Sequence, residues 1–448
     1  MFLRIELLYM KNENRKLLYM TAYNGKRNYT LEKFIKLFSK INPYRIKNKM
    51  KLKVKFKTPG YADCDIEIRA KGFVLASIYW ADANGILPGW SSFAMFPVDP
   101  SGSGHYHFVG HRAIPDCATH IYAKCVSQDF FTVEETLTEI PVEFLPAKKQ
   151  SDMLASFTLM SDLHLSGKPG KIARALRMVE SAALIVGDLT NDGFSEQFES
   201  FRCCIESEIP ERLVLAVTGN HDQLAGVASE SDYVVCSGYN EFQEYLFDKT
   251  RTLGFKVDKD MSGAYSVRYG EIDIIGLQCV TSGRKFGFSD GTQLRWLEKH
   301  LNEEDDVQWH IVMCHAPLLA HNPHRKDGTV YFSGDHNLQK IMDSHKNIIF
   351  ISGHTHFSPN TRQGNVEYCE DTQTIYIDDG SVVSTDLQGE SLMPAEWKDG
   401  VVGELKLYND YAEIIFKSVH SGMKYPRGYY RFDKILYGRK QNDYEKYQ

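Results

Sequence analysis

Residues 182–192 read AALIVGDLTND: five small or aliphatic residues, a glycine, then Asp188 at the head of a polar cluster. A short apolar run bounded by turn residues reads as a strand buried on both faces, with the polar residues forming the loop at its end. The same grammar recurs in LASFTLMSDLHLS (Leu154–Ser166), RLVLAVTGNHD (Arg212–Asp222), HIVMCHAP (His310–Pro317) and NIIFISGHTH (Asn347–His356). Helical patterns fall between these runs, near Lys171–Glu180, Ser195–Ile209, Thr292–Leu301 and Asn337–Ser344. A variable stretch reaches about Gly270, and DIIGLQ, TIYIDDG, GELKLY and AEIIFK add further strands. Strands alternating with helices predict an α/β domain with partly parallel sheets. In such sheets ligands bind beyond the carboxyl ends of the strands, where the polar residues of all five runs lie.

These residues form a coherent donor set. Asp162, His164, Asp188, Asn220, His315, His354 and His356 offer carboxylate, imidazole and amide oxygen, with no thiolate. Such ligands suit Mn, Fe, Zn or Co better than Cu(I) or a structural zinc cage. There are more of them than one tetrahedral ion needs, so the reading is two divalent metal ions sharing one carboxylate. A pair of ions can clamp the attacking and leaving oxygens of an in-line displacement and make hydroxide near neutral pH. Asn191 and Asp192 are read as either turn formers or site residues. His321, His324, Arg325 and Lys326 follow His315 in a loop that could meet a phosphate, and His310 reads as a packed strand residue. Burial is expected for Cys203, Cys204 and Cys314.

The order D-x-H, G-D, G-N-H-D, H, G-H-x-H resembles the calcineurin-like metallophosphoesterase superfamily over roughly residues 153–380. The resemblance implies a four-layer αββα sandwich of two mixed sheets. It implies that Asp162, His164 and His356 bind one metal, that Asn220, His315 and His354 bind the other, and that Asp188 bridges them. It places His221 beside the site as the group that contacts a phosphoryl oxygen or protonates the leaving alkoxide, with Asp222 holding the loop. The implied reaction is phosphoester hydrolysis by a metal-bridging hydroxide, on a monoester or a diester. Purple acid phosphatases carry a metal-binding Tyr where this chain has Asn191, and Ser/Thr protein phosphatases read G-N-H-E, so GDLTND and GNHD look closer to bacterial phosphodiesterases of the cyclic-nucleotide type. Many relatives place an Asp at the Asn191 position to support the catalytic His, a support that this chain's side chain does not offer.

Outward from this domain, residues 50–148 show short alternating strands separated by TPGYAD, DANG, LPGW and DPSGSG, which predicts an all-β sandwich. It resembles the Ig/fibronectin-like modules that precede some phosphoesterase domains. Residues 1–49 read as a basic extension with an amphipathic helix over Thr30–Ile41. The catalytic domain is expected over 153–433 and a polar tail over 434–448. Net charge is −6, yet residues 1–57 hold 16 Lys and Arg against 3 Asp and Glu. The acidic body argues against extended duplex binding and leaves nucleic acid only a route through this basic end. An alternative function is a non-catalytic surface-binding or scaffold protein with a degenerate site, which the complete donor set opposes. Nine cysteines, an odd number without C-x-x-C spacing, fit a cytoplasmic setting. The N-terminal residues lack the continuous apolar core of a signal peptide, and no run of about 18 apolar residues predicts a membrane span.

Overall fold

The computed structural model describes residues 7–8, 19–20, 49–56, 60–69, 74–88, 90, 94–98, 104–127, 133–146, 152–167, 169–226, 237–282, 285–288, 291–303, 306–321, 335–359, 364–383 and 400–434. The amphipathic pattern at 30–41 and the polar tail after 434 lie outside them. Apart from a two-residue pair, β1 (Leu7–Leu8) with β2 (Tyr19–Met20), the described residues fall into two compact units, one before and one after the Lys148–Lys149 bond.

The first unit is all antiparallel β. Strands β3 (Lys49–Lys55), β4 (Tyr61–Arg69) and β8 (Gly104–Ala113) make one sheet in that order. Strands β5 (Val74–Asp82), β6 (Gly85–Ile86), β7 (Ala94–Val98), β9 (His120–Ser127) and β10 (Val133–Glu139) make the other, ordered β10-β9-β5-β6 with β7 also paired to β5. Ile78, Trp80, Leu87, Ile114, Ile121 and Ile140 are among its buried residues.

The second unit is α/β with two mixed sheets. The six-stranded sheet runs β13-β12-β11-β23-β24-β25. Its strands are β11 (Met153–Met160), β12 (Ala182–Val186), β13 (Leu213–Val217), β23 (Val401–Tyr408), β24 (Tyr411–Ser418) and β25 (Lys424–Asp433). The seven-stranded sheet runs β14-β15-β16-β19-β20-β22-β21. It comprises β14 (Val257–Lys259), β15 (Tyr265–Tyr269), β16 (Ile272–Gly276), β19 (Trp309–Met313), β20 (Ile348–Ser352), β21 (Val366–Cys369) and β22 (Thr374–Asp378). β11, β12 and β13 pair in parallel, as do β16, β19, β20 and β22. A hairpin of β17 (Val280–Ser282) and β18 (Lys285–Gly287) stands apart.

Alternation along each strand divides the side chains. On the six-stranded sheet, Met160, Ala183, Ile185, Val214 and Ala216 pack against α1 (Gly170–Leu176), α2 (Ser195–Glu208) and α3 (Ser237–Thr252). On the seven-stranded sheet, Ile275, Val312, Ile348 and Phe350 pack against α4 (Thr292–Glu303) and α5 (Asp335–Ser344). The opposite faces meet each other, as the Phe157 and Tyr269 rings do at 5.4 Å and as Tyr265 does by donating its hydroxyl to Ala216 O at 2.8 Å.

Several described elements depart from the sequence reading. Helix α3 lies inside the stretch read as variable. The first helix ends at Leu176 rather than near Glu180, because Met178 and Val179 turn back onto the Ala175 and Leu176 carbonyls. Strand β25 was not expected in a segment containing Pro426 and Gly428; as an edge strand it can carry a proline that an inner strand cannot.

Candidate metal centre

Each donor sits just beyond a parallel strand. Asp162 and His164 follow β11, Asp188 follows β12, and Asn220 and His221 follow β13, all from one sheet. His315 follows β19, and His354 and His356 follow β20, from the other. The backbone there is strained. Seven non-glycine residues among those described have positive φ, and five are Asp162 (51°), His164 (44°), Asp188 (50°), His354 (71°) and His356 (56°). A left-handed backbone costs an L-residue about 1–2 kcal/mol, so the surrounding structure must impose it. It does so with a ladder between loops: Leu163 and His164 donate their N–H groups to Asp188 O at 2.8 and 3.0 Å, and Asp162 donates to Gly187 O at 3.1 Å. Two glycines permit the approach. A Cβ on Gly187 would fall 2.5 Å from His315 Nδ1, and one on Gly219 would fall 2.1 Å from Asp188 Oδ1.

The donors converge in two groups. Ligand atoms of Asp162, His164 and His356 lie within 4.8 Å of one another, and so do those of Asp188, His315 and His354. Asn220 Oδ1 joins the second group, 3.2 Å from His315 Nε2 and 3.1 Å from His354 Nδ1. Asp188 faces both groups, with Oδ2 3.4 Å from His315 Nε2 and 3.7 Å from His164 Nε2. The donor set fits divalent cations. Asp162 Oδ1 is fully buried and accepts no hydrogen bond, although His356 Nε2 lies 2.9 Å away. His164 Nε2 and His356 Nε2 also face each other at 3.1 Å. His315 donates Nδ1–H to Val186 O at 2.8 Å, which fixes the ring and turns Nε2 into the site, a common arrangement for metal-ligating imidazoles.

Charge in the centre is finely balanced. Burial pushes the Asp162 carboxyl up, but the neighbouring His356, His315 and His164 outweigh it and hold the group well below the usual range. Burial likewise opposes ionisation of Asp188, and His315 reverses it. Asp188 and Asp162 push the His315 imidazole well above its usual value against the opposing effect of burial. His354 is driven down to about 4 by burial and by His315. Two buried carboxylates thus depend on neighbouring positive charge for ionisation, the electrostatics that a cation satisfies.

His221 and Asp222 take different places. His221 donates Nδ1–H to the backbone carbonyl of Asn191 at 2.8 Å, so a main-chain oxygen gives the support that the Asn191 side chain does not. One ligand atom of His221 lies within 4.8 Å of those of His164 and Asp188, and its ring stands edge-on to His164 at 4.5 Å. Asp222 is fully buried. It accepts from Leu189 N, Thr190 N, Thr190 Oγ1 and Gly219 N at 3.1, 2.8, 2.9 and 2.9 Å, stapling the Asp188 loop to the Asn220 loop.

The other candidates are mostly engaged elsewhere. Asn191 Nδ2 donates to Asp192 Oδ1, and Asp192 exchanges two hydrogen bonds with Gln197 at the start of α2. His321 stacks on Tyr376 at 4.0 Å and pairs with Glu367. His324, Arg325 and Lys326 lie outside the described residues. His310 is buried and bonded to Asp273. Cys204 and Cys314 are buried, but Cys203 is exposed on α2, correcting the expectation for that residue. Phe286 of β18 is buried and stands edge-on to His354 at 4.8 Å, packing against a candidate ligand ring.

Residues 155–358 match the family described as calcineurin-like phosphoesterase, an interval that contains all seven candidate ligands. A probable glycerophosphodiester phosphodiesterase, GpdQ, of Arcobacter nitrofigilis is 23% identical over 176 residues, which is 39% of this chain and 55% of that protein. The chain therefore spans about half the length of this curated relative. Similar solved structures include a predicted phosphoesterase of Streptococcus pneumoniae (13% identity, TM-score 0.27, 62% of this chain and 97% of that one). Another is vacuolar protein sorting 29 of Cryptosporidium parvum (12% identity, TM-score 0.29, 62% and 98%). Residues 155–358 are a calcineurin-like phosphoesterase domain.

Proposed function

We propose that this domain hydrolyses phosphoric esters with two divalent ions. Asp162, His164 and His356 would hold one, Asn220, His315 and His354 the other, and Asp188 both. The observation that carries the reading is the convergence of two donor groups on one shared carboxylate, Asp188, from five strand ends. Ions bound there would supply charge neutralisation at the phosphoryl oxygens and a water acidified towards hydroxide. The chain does the rest. The buried ligand loops fix the reacting geometry and keep bulk water out. His221, oriented through Nδ1 by the Asn191 carbonyl, presents Nε2 to the leaving oxygen and delivers its proton there, a contribution of about 10²–10⁴-fold. Asp222 acts through the loops it joins. A phosphodiester is favoured over a monoester, in keeping with the GNHD sequence and with the phosphodiesterase named among the relatives.

The same reading places the second unit in a four-layer αββα sandwich spanning 153–433, preceded by an Ig/fibronectin-like sandwich over 50–148. It assigns a reducing, cytoplasmic setting, in keeping with an odd number of cysteines without C-x-x-C spacing. The test is hydrolysis of bis-p-nitrophenyl phosphate against p-nitrophenyl phosphate by protein stripped of metal and reloaded with Mn, Fe, Zn or Co. Turnover must require metal and fall by about 10³-fold in Asp188→Ala. Turnover of neither ester by protein holding two equivalents of metal would overturn it.

A further inference from the structure

Three buried glutamines stand behind the candidate ligands. Gln278 follows β16, Gln293 opens α4, and Gln223 lies in the 3-10 turn after His221; they are 4%, 7% and 4% exposed. One amide grips the Gln278 backbone on both sides: Gln278 N donates to Gln293 Oε1 at 2.9 Å, and Gln293 Nε2 donates to Gln278 O at 2.9 Å. The Gln278 side chain then crosses between sheets. Its Oε1 accepts from Thr218 N at 2.9 Å and from the Tyr239 hydroxyl at 3.2 Å. Gln223 Nε2 returns the link, donating to Cys279 O at 2.8 Å and to Gly219 O at 3.1 Å. The turn that presents Asn220 is thereby tied to the end of β16 in the other sheet.

The two halves of the centre are tied differently. Around Asp162 the sheets are joined directly: His354 N donates to Asp162 Oδ2 at 2.9 Å and Ser381 Oγ to Asp162 O at 3.0 Å. On the Asn220 side the glutamines add to two direct joins, His315 Nδ1 to Val186 O at 2.8 Å and Thr218 Oγ1 to Cys279 O at 3.4 Å. Amides suit this place. They donate and accept at once, and they are neutral, so they set position beside the ligands without adding a charge that would compete for a cation. Gln278 Nε2 is buried with no hydrogen-bond partner, so the chain retains an orphaned donor in order to keep the acceptor.

We propose that Gln223, Gln278 and Gln293 are positioning residues that hold Asn220 against His315 and His354 and thereby set the affinity of the second ion site selectively. This rests on the two-ion reading above. The test titrates Mn²⁺ alone into the metal-free full chain by calorimetry. Electron paramagnetic resonance monitors the exchange-coupled Mn–Mn signal, and the melting temperature of the metal-free protein is followed in parallel. In Gln278→Leu the first equivalent binds as in wild type, the second weakens by about 10–100-fold, the loss typical of outer partners of metal ligands, and the coupled signal disappears. Gln293→Leu acts in the same direction and carries the test if Gln278→Leu does not fold. Two unchanged equivalents and an intact coupled signal, with only the melting temperature lowered, would reduce the glutamines to packing and overturn the proposal. A wild type that binds one equivalent would instead remove the two-ion reading, and this proposal with it.

Discussion

One buried aspartate–histidine cluster lies at the amino end of the seven-stranded sheet and another at its carboxyl end, where loops from both sheets meet, and they behave differently. At the amino end, Asp273 of β16 accepts from His300 of α4 and His310 of β19 at 3.0 and 3.1 Å through the same Oδ2. Its backbone is regular strand and helix, none of the three has positive φ, and one carboxylate serves two imidazoles. At the carboxyl end, two carboxylates and their imidazoles crowd together on left-handed backbone, with Asp162 Oδ1 left without a hydrogen bond. The residue types are the same. What separates a structural cluster from a candidate metal centre is the unsatisfied donor geometry and the strain maintained to produce it.

This contrast can be broken most decisively by activity. Asp188→Ala should lower metal-dependent diester hydrolysis by about 10³-fold, the scale of removing a group that stabilises charge in the transition state. Asp273→Asn should leave the rate per folded molecule unchanged. Equal losses in the two variants would erase the distinction between the clusters. A smaller effect is expected at His221. His221→Ala should retain both metal equivalents and lose about 10²-fold in kcat on an alkyl ester. It should lose much less on a p-nitrophenyl ester, whose leaving group needs little protonation. An identical loss on both esters would deny it the role of proton donor.

The smallest effect sharpens the amino-end cluster. Burial raises the Asp273 carboxyl, but His300 and His310 outweigh it and hold the group below its ordinary value. A depressed folded value means that the stabilisation is present above the unfolded value, near about pH 4, and is lost as pH falls through the folded one. Asp273→Asn should therefore cost about 2 kcal/mol at neutral pH, and the difference from wild type should shrink in acid. Urea unfolding of the metal-free proteins at several pH values measures this; a difference that grows in acid would contradict it.

Much of the candidate centre was legible because its motifs are local. A strand signal followed at once by a carboxylate or an imidazole gives both the residue and its place, and five such runs name the donors that the structure brings together. What was not legible depends on partners distant in sequence. His221 is supported by the carbonyl of Asn191, which any residue at that position would offer. Gln278 and Gln293 are isolated polar residues whose meaning appears only when β16, α4 and the Thr218 turn meet. The strain at five ligands is a property of loops folded against one another, not of Asp or His as residues. Helix α3 was different: Tyr239, Phe242 and Leu246 recur at helical spacing and are buried, so the signal was present but was absorbed into a stretch read as variable.

The most direct test of the account is anomalous diffraction from crystals of the full chain loaded with Mn²⁺. The account predicts two peaks on either side of Asp188, about 3.5–4 Å apart. One peak alone, or scattering at Asp273 with none at Asp188, would contradict it.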